Sequence, residues 1–457
     1  MTEPARPQSI APARDLVFRE LARDVRRFPQ LDLDDPAFAP GIDQRDTALA
    51  RAIIHSTRRH WLTMQALLEH RLNRPWDRVQ PNLRAVLLGS AAQLFYFDRL
   101  PDHAVLDDAV EWVRSTGFGK ATGFINAVLR GLLRLRGELV EETAPRAGDP
   151  MHADLLLDPV DVLPRSDGRA WRFTEPAFDP APNVRLAQQT SHPLPLVERW
   201  INAIGLTDTC RRCHHNLIHA PIILQGVSGD HPELQPHQHA GAAVFSGSHE
   251  ALLALLEAQP DARVQDPTSA AACELTRDMN PSVIVDLCAG RGTKTHQLAA
   301  LHPEARIITT DVDDHRRASL HERFREHPRV EVVEPNQWRA LDGQADLVIL
   351  DVPCSNTGVL ARRVEARYRA DKQSFEGLIR LQRQISGDGV LLLKDNGLLL
   401  YTTCSVEPAE NERQAEWIAR QHKFDRVASQ RVEPCGLPGE PSSIYCDGGF
   451  AALLRRR

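Results

Sequence analysis

Apolar residues recur at intervals of three and four positions between residues 13 and 137, which is the spacing of one face of an α-helix. Breaks that contain proline or glycine separate these stretches, at Pro75, Pro101 and residues 117–119. We therefore predict an all-α bundle for residues 13–138. The predicted helices are ARDLVFRELARDV, TALARAIIHSTRRHWLTMQALLEHRL, NLRAVLLGSAAQLFYF, HAVLDDAVEWVRS and ATGFINAVLRGLLRLR.

The helical pattern is lost in the next stretch, where seven prolines fall between Val140 and Pro193. Proline-rich sequence without periodicity is typical of irregular structure, so residues 139–192 are predicted to form a Pro-rich linker. A helix (LPLVERWINAIG), short apolar strands and a second helix (HEALLALLEAQ) follow. This mixture predicts a small α+β domain over residues 193–268.

From Ser269 onward, short β-rich apolar runs alternate with helical patterns. Such alternation is typical of a doubly wound parallel sheet, so residues 269–457 are predicted to form an α/β Rossmann-like domain. The predicted strands lie in SVIVDLCAG, ARIITTDV, VEVVEP, ADLVILDVPCS and GLLLYTTCS.

Composition and charge limit the class of protein. The eight cysteines are too few for a disulfide framework in 457 residues, and neither a secretory leader nor a long apolar run is present. We therefore expect a cytoplasmic protein. Its net charge of −6 does not favour nucleic acid, but residues 13–140 carry 19 Lys/Arg against 16 Asp/Glu. This permits a local phosphate-binding face, for which the candidates are Arg58, Arg59, Arg71, Arg74 and Arg78.

The first loop of the α/β domain, in VDLCAGRGTKTHQL, carries Gly290 and Gly292. Glycines allow a sharp turn and the close approach of a ligand, and the following helix offers free N–H groups. Asp311 ends the second predicted strand, where an acid can bind two ribose hydroxyls. A structural turn would explain Gly-x-Gly alone, but its place in this loop favours a cofactor that contains a nucleoside.

Two cysteines follow neighbouring predicted strands. DVPCS carries Asp351 and Cys354 after one strand, and YTTCS carries Cys404 after the next, so all three should lie at one edge of the sheet. A helix predicted to begin near Pro408 would stabilise a thiolate at Cys404. Most buried cysteines are merely small apolar residues, but two at adjacent positions beside a cofactor loop favour catalysis.

The stretches VDLCAGRGTKT, DVPCSNTGVL, LLKDNGLLLYTTCSVEPAENE and CDGGFAALLRRR resemble the Sun/Fmu-type RNA cytosine-5 methyltransferases. NLRAVLLGSAAQLFYFDRLPDHAVLDDAVEWVR with FINAVLRGLLR resembles the NusB-like RNA-binding domain that precedes the catalytic domain in that subfamily. The resemblance implies S-adenosyl-L-methionine as the cofactor, RNA as the partner and small-subunit (16S) ribosomal RNA as the substrate.

The resemblance also implies a role for each site residue. Cys404 would add to C6 of the cytosine, because C5 becomes nucleophilic only after such an addition. Cys354 would assist release of the product, and Asp351 would hydrogen-bond the cytosine ring. The implied cofactor-binding residues are Leu287, Cys288, Ala289, Gly290, Arg291, Gly292, Thr293, Lys294, Asp311, Asn336 and Asp351.

The sequence departs from the family pattern at the cofactor. Arg291 and Thr293 replace a proline and a glycine of the family loop, and either Asn336 or Glu334 stands where the family has an adenine-side aspartate. A second hypothesis is therefore a non-catalytic RNA-binding or assembly factor on a methyltransferase scaffold. A third is a methyltransferase that uses Cys354 as its nucleophile, as DNA cytosine-5 enzymes use their corresponding cysteine.

Two further clusters have weaker interpretations. CRRCHH (210–215) resembles a haem-attachment or zinc motif, but haem attachment requires export and zinc requires further ligands, so no metal is expected. We also expect no membrane contact and a monomer.

The basic residues after the first cysteine motif are expected either to bind RNA phosphates or to form solvated helix surface. They are Arg362, Arg363, Arg367, Arg369 and Lys372.

Overall fold

The computed structural model describes residues 11–31, 38, 42–141 and 157–457. Contacts within the chain divide it into two compact units, whose borders differ from the predicted domain borders. No helix in these described ranges is long and apolar enough to cross a membrane. The first unit comprises Met1–Ile218, Arg363–Ala370 and Leu437–Gly439, and the second comprises His219–Arg362, Asp371–Gly436 and Glu440–Arg457.

The first unit contains the predicted helical bundle, which is confirmed. Its central helix is apolar on all sides and buries twelve side chains or glycines, so it must be surrounded by the others. Gly89 on this helix allows a close approach, since a Cβ there would lie 2.8 Å from Leu21. The bundle helices are α1 (Pro12–Arg27), α2 (Gln44–Arg59), α3 (Trp61–Glu69), the central α4 (Pro81–Tyr96), α5 (Asp102–Val113) and α6 (Thr122–Leu135).

The predicted Pro-rich linker contains regular elements joined by turns and irregular chain where it is described. Three short antiparallel strands in the order β1-β3-β2 and a helix replace the expected irregular chain, while residues 142–156 lie outside the described residues. The prolines are compatible with this because Pro164 ends a strand and Pro182 is the first residue of a helix, where its missing N–H is not needed. The elements are β1 (Arg136–Val140), β2 (Val162–Pro164), β3 (Ala170–Phe173), α7 (Pro182–Thr190) and α8 (Leu194–His215).

A short segment that follows the first cysteine motif in sequence completes the first unit. Residues Val364–Arg369 form a 3-10 helix, and Tyr368 joins the hydrophobic core of this unit. The guanidinium of Arg367 is completely buried and donates hydrogen bonds to four backbone carbonyl groups. The acceptors are the carbonyl oxygens of Asn216 at 2.9 Å, Thr190 at 3.1 Å, Arg59 at 3.2 Å and Ser191 at 3.4 Å.

These contacts correct the expected roles of several arginines. Arg367 is inaccessible to RNA, and so is Arg58, which is buried against Asp24 with an Nε–Oδ2 distance of 2.8 Å. The guanidinium of Arg59 donates to the carbonyl of Ile218. These arginines therefore stabilise the first unit, whereas Arg74 and Arg78 are exposed.

The second unit begins with the predicted small α+β region. Its antiparallel sheet has the order β5-β6-β4-β7, and the short strand β5 is the one that the sequence pattern did not predict. The helix predicted to open this region, α8, belongs to the first unit instead. The elements are β4 (Ile222–Gln225), β5 (Leu234–Pro236), β6 (Ala242–Phe245), α9 (His249–Ala258) and β7 (Arg263–Val264).

The Rossmann-like domain contains a seven-stranded sheet in the order β10-β9-β8-β11-β12-β14-β13. The sheet is mixed, because β14 runs antiparallel to both of its neighbours. The elements are α10 (Pro267–Glu274), β8 (Val283–Asp286), α11 (Thr293–Leu301), β9 (Arg306–Thr309), α12 (Asp314–Phe324), β10 (Val330–Val332), β11 (Ala345–Asp351), α13 (Lys372–Leu392), β12 (Leu393–Thr403), α14 (Glu412–His422), β13 (Phe424–Val432) and β14 (Gly449–Arg456).

The register of the parallel strands gathers polar residues at one edge. Asp286 at the end of β8 pairs with Thr309 of β9 and with Ile349 of β11. Asp351 at the end of β11 pairs with Thr402 of β12. Open α/β sheets bind ligands at the carboxyl ends of their central strands, so this edge is the candidate ligand-binding edge of the sheet.

Candidate active site

The loop between β8 and α11 is open on one side of Gly290. Its backbone is anchored by hydrogen bonds from Leu287 N to Ile349 O and from Ala289 N to Thr310 O. Gly290 has a φ of +59° and donates its N–H to Asp311 Oδ2 at 2.9 Å. A Cβ at Gly290 would meet no atom within 4 Å, so the space that its missing side chain leaves is available to a ligand.

Gly292 allows the loop to approach a neighbouring helix closely. Its φ is +81°, and a Cβ there would lie 2.6 Å from Phe324 and 2.9 Å from Leu320, both on α12. The space beside its Cα is therefore filled by this helix, and its cofactor-binding role stays a prediction. Of the remaining loop residues, Arg291 is exposed, Cys288 is half-buried, and Thr293 begins α11.

Asp286 is a site residue that the sequence analysis missed. It is buried, and its Oδ2 accepts a hydrogen bond from Thr295 Oγ1 at 2.7 Å. Its Oδ1 has no hydrogen-bond partner of normal geometry among the residues that the structure describes. Burial raises the pKa of this carboxyl to about 7. The available signal was an acid that ends an apolar strand directly before a Gly-x-Gly loop.

Asp311 lies across the loop from this position and is almost fully buried. Its Oδ1 accepts the N–H of Asp313, and its backbone carbonyl accepts a hydrogen bond from Arg317 at 2.8 Å. Arg317 also forms an ion pair with Glu334 at 3.1 Å. Glu334 is therefore already engaged, while Asn336, after β10, is exposed.

Lys294 is placed to hold Asp351. Its Nζ lies 2.7 Å from Asp351 Oδ2, and Thr402 Oγ1 donates to Asp351 Oδ1 at 2.7 Å. Burial disfavours the charge on Lys294, but the attraction of Asp351 outweighs it and raises the pKa of the ammonium group. The side chain predicted to bind the cofactor thus contacts the carboxylate predicted to bind the base.

The two motif cysteines meet. Cys354 Sγ and Cys404 Sγ are 3.2 Å apart, and Cys404 Sγ also lies 3.1 Å from Asn356 Oδ1. A hydrogen bond to Cys404, together with burial, raises the pKa of the Cys354 thiol well above its ordinary value. Cys354 is buried whereas Cys404 is half-buried, so Cys404 is the more accessible of the two sulfurs.

The helix expected to begin near Pro408 begins later. α14 starts at Glu412, after Asn411, whose Oδ1 accepts a hydrogen bond from the Thr403 hydroxyl. The chain between Cys404 and this helix is held by side-chain hydrogen bonds, and Tyr401 OH donates to Glu410 O at 2.7 Å. The Cys404 sulfur contacts the side chains of Cys354 and Asn356 rather than the end of this helix.

Arg362, expected at an RNA-binding surface, is part of a buried acidic cluster. Its Nε lies 2.7 Å from Asp447 Oδ2, and its Nη2 lies 3.3 Å from Asp266 Oδ2. Burial and the nearby Asp447 raise the pKa of Asp266 to about 7. The exposed basic residues of this segment are Arg363, Arg369 and Lys372.

The CRRCHH motif lies on α8 and faces the interior. Cys210 and Cys213 are buried, and burial raises the pKa of Cys210 to about 12. His214 Nε2 lies 2.9 Å from Asp158 Oδ2, so this ring already has an acidic partner. Within the described ranges, no group of three His, Cys, Asp or Glu side chains could hold a metal ion.

Comparison with known families matches both predicted regions. Residues 275–438 match the family described as 16S rRNA methyltransferase RsmB/F, and residues 16–134 match the NusB family.

Relatives from other organisms match nearly the whole chain. Ribosomal RNA small subunit methyltransferase B of Yersinia enterocolitica is 26% identical over 452 residues, which is 97% of this chain and 98% of that protein. The protein of the same name from Serratia proteamaculans is 27% identical over 92% of each chain. The solved structure of PH0851 shares the fold, with a TM-score of 0.68 and 18% identity over 99% of this chain and 100% of its own.

Proposed function

Because residues 275–438 belong to the RsmB/F family of 16S rRNA methyltransferases and residues 16–134 to the NusB family, we propose that this chain is a cytoplasmic rRNA (cytosine-C5)-methyltransferase. Its substrate would be small-subunit ribosomal RNA and its cofactor S-adenosyl-L-methionine. The observation that carries the proposal is the pair of sulfurs 3.2 Å apart, in the same sheet-edge site as the Lys294–Asp351 ion pair.

Cys404 is the proposed nucleophile. Its sulfur forms a bond to C6 of the cytosine, which makes C5 electron-rich enough to accept a methyl group. Cys354 remains a protonated thiol because its hydrogen bond to Cys404, together with burial, raises its pKa. After methylation the C5 proton leaves to a base and the S–C6 bond breaks, with Cys354 assisting this release. The target base must leave its stack to reach such a buried pair.

The cofactor supplies an electrophilic methyl group. Asp311 is proposed to accept hydrogen bonds from its ribose hydroxyls, and Asn336 to bind on the adenine side. Among the described residues, Asp286 Oδ1 is buried without a hydrogen-bond partner, which suits the charged amino group of such a ligand. The open space at Gly290 allows the ligand to approach the backbone closely. Lys294 is proposed to orient the Asp351 carboxyl group toward the cytosine through their ion pair.

Alanine variants of the two cysteines test the roles. With labelled cofactor and 16S rRNA fragments, Cys404→Ala should give neither methyl transfer nor a denaturation-stable RNA adduct. Cys354→Ala should accumulate the adduct and release little product. The exposed Cys435→Ala is the matched control and should behave as wild type. If Cys354→Ala formed no adduct and Cys404→Ala accumulated it, the nucleophile would be Cys354 instead.

A non-catalytic RNA-binding factor is the competing function, and the exposed Arg291 in the altered loop favours it. Calorimetry with S-adenosylhomocysteine separates the two. Micromolar binding by the wild type, lost in Asp311→Ala, is the expected result. Binding of rRNA fragments without any binding of the cofactor product would support the scaffold hypothesis.

A further inference from the structure

A single buried carboxylate connects the two loops that carry the cysteines. Ser355 follows Cys354 and Ser405 follows Cys404 in sequence. Glu410 Oε1 accepts the N–H of Ser355 at 2.9 Å, and its Oε2 accepts both serine hydroxyls at 2.5 Å. The Glu410 side chain is completely buried.

The donors to this carboxylate are uncharged. Besides the two serines, Gln382 Nε2 on α13 donates to Oε1 at 3.0 Å, and no ion pair to Glu410 occurs in the part of the chain that is described. Burial raises the pKa of this carboxyl, while the hydrogen bonds from Ser355 and Ser405 oppose the shift. A buried charge without a cation is unfavourable, so the position must need something that a neutral side chain cannot provide.

That requirement is the number of acceptor sites. A carboxylate has two oxygens and can accept all four of these hydrogen bonds at once, whereas a glutamine has one oxygen and would direct its NH₂ group toward some of the donors. Thr357 strengthens the same connection, since its hydroxyl lies 3.2 Å from Ser355 Oγ and 3.1 Å from Ser405 Oγ. Glu410 thereby fixes the residue after each cysteine to one point.

We propose that Glu410 is a positioning residue that holds the Cys354 thiol against Cys404, so that the covalent RNA intermediate is released promptly. It touches neither cysteine sulfur and acts through Ser355 and Ser405. The role in release rests on the proposed covalent function, whereas the geometric role does not.

Oxidation by diamide tests the geometric role without RNA. Cys354 and Cys404 lose two protons and two electrons as their disulfide forms, and the azo group of diamide takes them up. Glu410→Ala should slow formation of this disulfide by about tenfold, measured by peptide mass spectrometry, because the sulfurs lose their fixed separation. Glu410→Gln should fall between Ala and wild type. The control Glu412→Gln, whose carboxylate pairs with Arg431 instead, should oxidise at the wild-type rate.

Equal disulfide rates in folded Glu410→Ala and wild type would overturn the proposal. If Glu410→Ala does not fold, Ser405→Ala removes one donor and leaves the carboxylate bound to Ser355, and it should slow the reaction less than tenfold but measurably. An unchanged rate in both Glu410→Gln and Ser405→Ala would then be decisive against it.

The ratio of RNA adduct to methylated product tests the role in release. Glu410→Ala should raise this ratio, as is also expected for Cys354→Ala, and Glu410→Gln should partly restore it. A fall in adduct and product by the same factor would indicate a merely structural role and contradict the proposal. Failure of the proposed function is distinguishable, because then the wild type itself would form neither adduct nor product.

Discussion

At the scale of single residues, burial and the nearest partner decide in which direction the pKa of a carboxyl group on these strands shifts. Asp286 at the end of β8 and Asp346 near the start of β11 lie on adjacent strands of one sheet. Asp346 pairs with Lys394 at 2.8 Å, whereas Asp286 accepts a hydrogen bond from the Thr295 hydroxyl. The pKa of Asp286 is raised to about 7 by burial. Burial also acts on Asp346, but its hydrogen bonds from Lys394 and Val283 outweigh it and lower the pKa.

Asp286→Asn should therefore stabilise the second unit in a pH-dependent way. The folded pKa of Asp286, about 7, exceeds its ordinary value of 3.8. Stability that the protonated form provides is complete below pH 3.8 and is lost as the pH rises to 7. The asparagine cannot ionise, so the free energy of unfolding of the variant should rise relative to that of the wild type between pH 4 and 7, by at most about 4 kcal/mol. Urea unfolding at pH 5 and pH 8, followed by hydrogen exchange of β8, measures this gain.

The control Asp346→Asn should show the opposite sign. The lowered pKa of this group stabilises the fold above its ordinary value of 3.8, and the contribution disappears as the pH falls. The variant should thus lose stability at pH 8. A loss of stability in Asp286→Asn at pH 8 would contradict the account of its buried charge.

Sequence could bring Asp351, Cys354 and Cys404 to one edge, because the carboxyl ends of neighbouring parallel strands always share it. It could not show that Glu410 would connect the cysteine loops. That connection exists because Glu410 lies in a loop before α14, where a helical turn was predicted. Nor could it show that Lys294 would contact Asp351, 57 residues away.

At the scale of elements, the loop between β8 and α11 uses two glycines for different purposes. Gly290 leaves open space, and Gly292 lets α12 approach, although both have positive φ. Replacing either by alanine introduces similar backbone strain, roughly 1 kcal/mol. Only the Gly292 side chain would also collide with Phe324 and Leu320.

Gly292→Ala should consequently lower the melting temperature of the second unit more than Gly290→Ala does. Gly290→Ala should instead lose affinity for S-adenosylhomocysteine, by about tenfold or more, because the added methyl group fills the open side of the loop. Calorimetric titration and thermal unfolding of both variants make the comparison. Equal effects on both quantities would show that the glycines are interchangeable.

The accuracy of the sequence interpretation for elements followed the strength of the periodic signal. Helices α1 to α6 and strands β8 to β12 lie in the predicted stretches because their apolar spacing is regular, although α2 and α3 were predicted as one continuous helix. β13 was missed because it is an edge strand with mostly exposed, polar residues. The strands β2 and β3 were missed because they are short and lie among prolines and polar turns that are typical of irregular chain.

At the scale of the whole molecule, neither compact unit is one continuous stretch of chain. The first unit requires Arg363–Ala370, which contributes the buried Arg367 and the core residue Tyr368. Domain borders assigned along the sequence could not include this segment in the first unit, because residues of the second unit precede and follow it.

Arg367→Met should destabilise the first unit by about 3 kcal/mol or more, because it removes a charged donor from four buried carbonyl groups. Arg367→Lys should recover only part of this loss, since an ammonium group cannot reproduce the planar guanidinium. The exposed Arg363→Gln is the control and should change the free energy of unfolding by less than about 0.5 kcal/mol. Urea unfolding followed by tryptophan fluorescence measures all three. Wild-type stability in Arg367→Met would contradict this account of the segment.

The interleaved chain also sets an order of events during translation. The ribosome completes Ile218, then makes the whole of His219–Arg362, and only afterwards supplies the segment that fills the first unit. At about 5–20 residues per second, this interval is on the order of ten seconds. For that time the nascent helical region exposes the apolar site of Tyr368 and the carbonyl groups that await Arg367. A rare-codon pause placed just before Arg363 would lengthen this vulnerable period without altering a single amino acid of the finished enzyme.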